Sequence, residues 1–201
     1  MGHFQTTTKY EEKRKLYNDS RNTIKAVWPQ MHKLIETINP RISDKSPKEF
    51  ESVSNPKVFG EVLYDMKSND PIKWGEILVH EIGHQYLFVT TSTKNLAPFK
   101  QIFKDRRFSH LRDEQRPLIG IYHAVMAQTC MIELALRILK KKKKEIKHSS
   151  ARKILAKFKD VFPLDLKTIE ECKLLEFDHH IADFILEVKE KFDLYFSRET
   201  A

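Results

Sequence analysis

A chain of 201 residues is long enough for one domain with a sizeable core, and a content of 40% hydrophobic and 32% charged residues excludes wholesale disorder. The formal net charge of +8, concentrated in places such as the lysine run 140–144, favours acidic or phosphorylated partners. We expect no nucleic-acid partner, because no zinc-finger, helix-turn-helix or aromatic RNA-binding signature is present. We also expect no membrane span and no signal peptide, because no suitable apolar run occurs. Cys130 and Cys172 lack metal-ligand spacing and fall in helical patterns, which indicates reduced thiols and a cytoplasmic protein.

The N-terminal third combines one long helical pattern with one strand pattern. The helix is predicted over residues 9–37 and ends at Asn39-Pro40. Its apolar stripe consists of Tyr17, Ile24, Val27, Trp28, Met31, Leu34 and Ile35. Residues 41–56 are polar and predict a loop with one short helical turn. Residues 57–66 alternate in the manner of a strand.

The rest of the chain predicts helices. Asp70-Pro71 can start a helix over residues 72–89, and residues 90–110 read as an irregular or partly helical connection. Further helices are predicted over residues 116–143, 150–161 and 167–196, with Asp165 as the N-cap of the last one. The prediction is a single domain over residues 1–201, mostly α with a small β element. Its core metal-binding segment spans about residues 57–143, and a helical segment covers about residues 149–197.

The most informative motif is His80-Glu81-Ile82-Gly83-His84. Residues four apart on a helix lie about 40° apart around its axis and about 6 Å along it, so His80 and His84 can bind one ion from the same face. The preceding residues 77–79 are apolar, as a helix that crosses a core requires. The sequence therefore predicts a helical domain that carries an HExxH metal helix.

Two histidines need a third ligand and open positions for water or substrate. The metzincin arrangement would require Gly at position 87 and His at position 90, but the chain has Leu87 and Thr90. A glutamate from a later helix, with Glu133 as the nearest candidate, and His123 on an apolar helix both remain open on this reasoning.

Two stretches of the chain, residues 78–87 and residues 111–124, carry recognisable motifs. The second is similar to the pattern Trp-Arg-Asp-Asp-x-Arg-Pro-Leu-x-Gly-Leu-Leu-His-Gly. The residues that match it in register are Arg112, Asp113, Arg116, Pro117, Leu118, Gly120 and His123. Together the two stretches resemble the HExxH-type peptide β-hydroxylases, which are iron- and 2-oxoglutarate-dependent enzymes that modify ribosomally made peptides. Leu111, Ala124 and Gln128 stand where the family has Trp, Gly and often His.

The resemblance implies that His80, His84 and His123 hold Fe(II). It also implies 2-oxoglutarate as cosubstrate, whose distal carboxylate needs a cation, and arginine offers a planar, bidentate fork. Arg116 would lie about two helical turns before His123 if the helix extends that far, and Arg112 in the preceding loop could close over the same pocket. The implied substrate is a peptide, and the basic charge favours one with an acidic leader.

Two other functions remain open on the sequence. One is a zinc-dependent peptidase, in which Glu81 would act as general base on metal-bound water. In an oxygenase Glu81 would instead orient a ligand or a bound water. The other is a non-catalytic peptide-binding relative that retains the metal helix. Imidazole binds iron as well as zinc, so the ligand type does not determine which metal is bound.

Overall fold

The computed structural model describes residues 2–43, 52–54, 61–64, 68–93, 102–141 and 148–199, with side chains described over residues 11–40, 68–91, 102–141 and 148–199. The α-helices of this part of the chain are α1 (Gly2–Val27), α2 (Pro29–Ile38), α3 (Pro71–Thr93), α4 (Leu118–Lys140), α5 (His148–Phe158), α6 (Val161–Glu171) and α7 (His179–Glu199). The strands are β1 (Arg41–Ser43), β2 (Ser52–Ser54), β3 (Glu61–Tyr64), β4 (Arg106–Ser109) and β5 (Glu114–Pro117). The prediction of a mostly α fold with a small β element is confirmed.

The helix predicted over residues 9–37 is two helices. Trp28 leaves the helical conformation with φ −142° and ψ 73°, and Pro29 then starts α2. A proline disfavours the α conformation in the residue before it and has no N–H to donate, which explains the break. The second helix ends at Ile38, before Asn39 in the left-handed conformation (φ 48°), as Asn39-Pro40 predicted. Tyr17 and Leu34 are half-buried and the other residues of the predicted stripe are buried.

A three-stranded sheet follows, in the order β1-β3-β2, with β1 parallel and β2 antiparallel to β3. The strand predicted over residues 57–66 is confirmed over Glu61–Tyr64, and its remaining residues lie outside the described ones. The prediction of a loop over residues 41–56 is wrong at β1 and β2, and the rest of that stretch lies outside the described residues. Strands of three residues are too short to show an alternating pattern, so they pair through their backbone without a sequence signal.

Helices α3 and α4 form the centre of the core. Asp70 Oδ1 accepts a hydrogen bond from the Ile72 amide (3.0 Å) and Pro71 occupies the first position of α3, as predicted. A Cβ atom on Gly83 would lie 3.2 Å from Cys130 Sγ, so this glycine allows α3 to approach α4 closely. In the described part of the chain, α4 alone is long and apolar enough to cross a bilayer, but 78% of its most apolar window is buried inside the molecule. A core helix of a soluble protein has the same properties.

A β-hairpin precedes α4, where an irregular connection and the start of a helix were predicted. Strands β4 and β5 pair antiparallel, with Arg107 opposite Arg116 and Ser109 opposite Glu114. The turn includes Asp113 in the left-handed conformation (φ 54°), which Asp tolerates better than most residues. Helix α4 therefore begins at Leu118, after Pro117, rather than at residue 116.

The C-terminal helices differ from the prediction in their boundaries. The helix predicted over residues 150–161 is α5, which begins at His148 and ends at Phe158. The long helix predicted over residues 167–196 is interrupted, because α6 ends at Glu171 and a short 3-10 turn (Leu174–Phe177) precedes α7. The N-cap of the last helix is Asp178, whose Oδ1 accepts from the amides of His180 (2.9 Å) and Ile181 (3.2 Å). Asp165 lies inside α6 and is fully buried, so its prediction as an N-cap is wrong.

Candidate metal centre

Three imidazole rings from the two central helices lie against one another. His80 and His84 project from one face of α3, and His123 projects from α4. His84 Nε2 lies 3.1 Å from His80 Nε2, and His84 Nδ1 lies 3.3 Å from His123 Nδ1. The structure thus brings together the three histidines that the sequence singled out.

These distances can be compared with those between two ligands of one ion. With metal–nitrogen bonds of about 2.1 Å and bond angles of about 90–110°, two nitrogens on the same ion lie about 3.0–3.4 Å apart. Both pairs fall in this range. However, His84 presents different nitrogens to its two neighbours, and one ring cannot bind a single ion through both. Accordingly, no group of three or more His, Cys, Asp or Glu side chains among the described residues is arranged around a single point. A three-histidine site requires rotation of one of these rings.

Burial sets the charge of the cluster. It lowers the pKa of His80 and of His123 to about 4, and it lowers the pKa of His84 well below the usual value. At neutral pH the three rings are therefore uncharged, which is the form that binds metal. Neutral rings can also form a hydrogen-bonded chain, in which His84 donates through one nitrogen and accepts through the other.

Two side chains of α3 complete the immediate surroundings. Glu81 is buried, with 1% of its surface exposed, and its Oε1 lies 3.8 Å from His80 Nε2. The Phe88 ring lies 4.9 Å from the His123 ring and 6.4 Å from the His84 ring, between centroids. Phe88 was not singled out from the sequence, although it lies one helical turn after His84 and so shares its face. It adds an apolar wall to the cluster.

Arg112 and Arg116 belong to the hairpin and not to α4. Arg112 is exposed in the turn, and the half-buried Arg116 lies on β5 with its Nε 3.5 Å from Glu114 Oε1. The prediction that Arg116 precedes His123 on one helix is therefore wrong, because α4 starts two residues later. Both guanidinium charges help to lower the pKa of His84 after the larger effects of burial and of the neighbouring histidines. The hairpin thus presents two cations to the cluster.

Asp165, which was predicted as an N-cap, instead joins the hairpin turn to the helical core. Its Oδ1 accepts from the His110 amide (2.7 Å), and its Oδ2 accepts from the Leu111 amide (3.3 Å) and from Gln128 Nε2 (3.2 Å). Gln128 stands where the family often has His, and its Oε1 is buried without a hydrogen-bond partner among the described residues. No local pattern could reveal this contact, because it joins residues about 55 positions apart.

Glu133, the other candidate for the third ligand, is engaged elsewhere. Its buried carboxylate accepts from Arg137 Nε (2.6 Å) and from Lys191 Nζ (3.1 Å). It lines a cavity of about 310 Å³ together with Met31, Gly83 and Phe184, and none of the three clustered histidines lines this cavity. The structure therefore gives no support to Glu133 as a metal ligand.

Comparison with known proteins does not assign the chain to a family. No family model matches the chain, and no significantly similar curated protein was found.

Proposed function

We propose that the chain is an Fe(II)- and 2-oxoglutarate-dependent hydroxylase that acts on a side-chain β-carbon of a peptide. The observation that carries this proposal is the cluster of three neutral imidazoles beside a hairpin that bears two arginines. His80, His84 and His123 would hold the metal. Arg116, with Arg112 as the second candidate, would bind the distal carboxylate of 2-oxoglutarate.

The arrangement of charges supports an anionic cosubstrate. Neutral imidazoles leave the charge of Fe(II) uncompensated, so the site would attract a chelating dianion. A guanidinium offers a planar pair of donors to a carboxylate and stays charged at every physiological pH. A zinc peptidase has no evident need for two arginines whose charges act at the metal-binding face.

His80, His84 and His123 would hold Fe(II). Bound Fe(II) would supply the oxidation in which 2-oxoglutarate and O₂ give succinate and CO₂, with one oxygen atom inserted into a C–H bond of the substrate and the other incorporated into succinate. Phe88, whose ring lies against His123, would shield one side of the cluster from water. Glu81 would orient a ligand ring or a bound water through its carboxylate, which lies beside His80.

The alternative is a zinc peptidase, and Glu81 distinguishes the two because only a hydrolase uses it as the base. The experiment is anaerobic reconstitution with Fe(II) or Zn(II), followed by assays for succinate release and for peptide cleavage in wild type and Glu81→Gln. We expect succinate only with Fe(II), and retained metal binding with appreciable succinate release in Glu81→Gln.

Glu170→Gln, an exposed change on α6, is the matched control. Zinc-dependent cleavage that disappears in Glu81→Gln, with no succinate from the Fe(II) protein, would establish the peptidase. A protein that binds metal and peptide but performs neither reaction would be a non-catalytic relative.

A further inference from the structure

A second cavity, of about 410 Å³, lies between the start of α3 and one side of α5. Three lysines line it, Lys73 on α3 and Lys153 and Lys157 on α5, together with the carboxylates of Asp70 and Glu76. We name this cavity the lysine pocket. It takes no part in the metal site described above.

The lysine pocket adjoins the histidine cluster along one face of α3. Lys73, Glu76, His80 and His84 follow one another at spacings of three or four residues, so they share that face. Glu76 lies about 6 Å and Lys73 about 10 Å along the helix axis from His80.

The carboxylates of the pocket are already occupied by the protein's own donors. Glu76 is buried, and its two oxygens accept from Lys73 Nζ (3.0 Å) and Lys157 Nζ (3.3 Å). Asp70 accepts from the Ile72 amide and, through Oδ2, from Ser150 Oγ (2.6 Å). These bonds hold the two ammonium groups in position, and each ammonium has three donors, so some are left for a ligand.

The net charge of the residues that line the lysine pocket is positive. Three lysines face two carboxylates, and about a third of the Lys73 side chain and half of the Lys157 side chain are exposed. Lys153 is exposed as well. A pocket with fixed ammonium groups and net positive charge recognises a carboxylate.

We propose that the lysine pocket binds the side chain of an Asp or Glu residue in the peptide substrate, two or three positions from the residue that is modified. This inference rests on the proposed function. Glu76 and Lys73 lie about 6 and 10 Å from His80 along the α3 axis, and an extended peptide rises about 3.3 Å per residue. Two or three residues of a peptide that runs along this face of α3 would therefore span that interval. It narrows the substrate class from any peptide to one with an acidic residue close to the reacting carbon.

The test is an NMR titration of ¹⁵N-labelled, metal-free protein with two capped pentapeptides, acetyl-Gly-Ala-Asp-Ala-Gly-amide and its Asn counterpart. We expect the Asp peptide to shift amides in residues 70–76 and 150–157 and to bind about five- to tenfold more tightly than the Asn peptide. Lys153→Gln, which leaves both hydrogen bonds to Glu76 in place, should lower this ratio to about twofold or less. Lys33→Gln, an exposed change on α2, should preserve the ratio.

Equal affinities for the two peptides in wild type, or shifts confined to other parts of the molecule, would overturn the proposal. So would a Lys153→Gln protein that keeps the full preference for Asp. Because the titration uses no metal, the succinate assay separates the two ideas. Tighter binding of the Asp peptide without succinate release would support the lysine pocket as a carboxylate site and contradict the hydroxylase proposal. Succinate release without tighter binding of the Asp peptide would support the hydroxylase proposal and contradict the carboxylate site.

Discussion

Arg116 has a function in the proposed oxygenase, where it would bind 2-oxoglutarate, and no evident function in a zinc hydrolase. Replacing Arg116 with Leu removes both the charge and the guanidinium fork, and a charge-assisted hydrogen bond contributes about 1.5–3 kcal/mol. We therefore expect the KM for 2-oxoglutarate to rise about ten- to a hundredfold while iron stays bound. The measurement is succinate release against 2-oxoglutarate concentration, with Arg198→Leu at the exposed end of α7 as control. An unchanged KM would indicate that Arg112, and not Arg116, binds the distal carboxylate of 2-oxoglutarate.

The buried thiol of Cys130 should react with alkylating reagents only at high pH. Burial, and after it the charge of Glu133, raise the pKa of the Cys130 thiol to about 12. A raised thiol pKa means that the neutral form persists up to that pH, so at pH 8 almost no reactive thiolate is present. We expect iodoacetamide to label the half-buried Cys172 and to leave Cys130 unmodified in the folded protein. Mass spectrometry after labelling at pH 8 tests this, and equal labelling of the two thiols before denaturation would contradict it.

The helical repeat places His80 and His84 on one face of α3, as their spacing predicted, and His123 lies beside His84. That the three histidines bind one metal ion stays a prediction, and it requires rotation of one ring. The orientation of the rings could not be predicted, because it depends on hydrogen bonds between them and on packing against Phe88.

At the scale of elements, the hairpin β4–β5 depends on Asp165. Asp165→Asn leaves one acceptor oxygen for three donors and turns an amide group toward them. We expect the free energy of unfolding to fall by about 2–4 kcal/mol, because buried donors lose a charged acceptor. Urea denaturation measures this, with Asp183→Asn on the exposed face of α7 as control. The KM for 2-oxoglutarate should rise as well, since the hairpin carries both arginines. A variant as stable as wild type would show that the hairpin docks without Asp165.

Helices and strands differed in how far they could be predicted. The apolar repeats of α3 and α4 are long, so their existence was predicted and only their ends were missed by a few residues. The hairpin has mostly exposed, charged residues and no alternating apolar pattern. Asp165, which is distant in sequence, accepts the hydrogen bonds that join the hairpin turn to the helical core, so no local signal could reveal this contact.

At the scale of the whole molecule, the net charge of +8 predicts an effect on association rather than on chemistry. Lys140 is the last residue of α4 and Lys141 is its C-cap, and the rest of the run 140–144 lies outside the described residues. Replacing all five lysines with Gln should weaken the binding of a peptide with an acidic leader and leave kcat at saturating peptide unchanged. The measurement is a steady-state titration at low and high salt, because screening should remove the difference. A large fall in kcat would mean that the active site has been misplaced.

The proposed function requires that His80, His84 and His123 bind one metal ion. The most direct test is an anaerobic Fe(II) titration of wild type, His123→Ala and His179→Ala, the last being an exposed histidine at the start of α7. We predict one Fe(II) per chain in wild type and in His179→Ala. Loss of a residue that only hydrogen-bonds to a metal ligand typically lowers metal affinity about 10–100-fold. Because His123 would be a ligand itself, we expect His123→Ala to lower the affinity for Fe(II) by more than this. Equal affinities of wild type and His123→Ala, or a wild-type protein that binds no Fe(II), would contradict the claim.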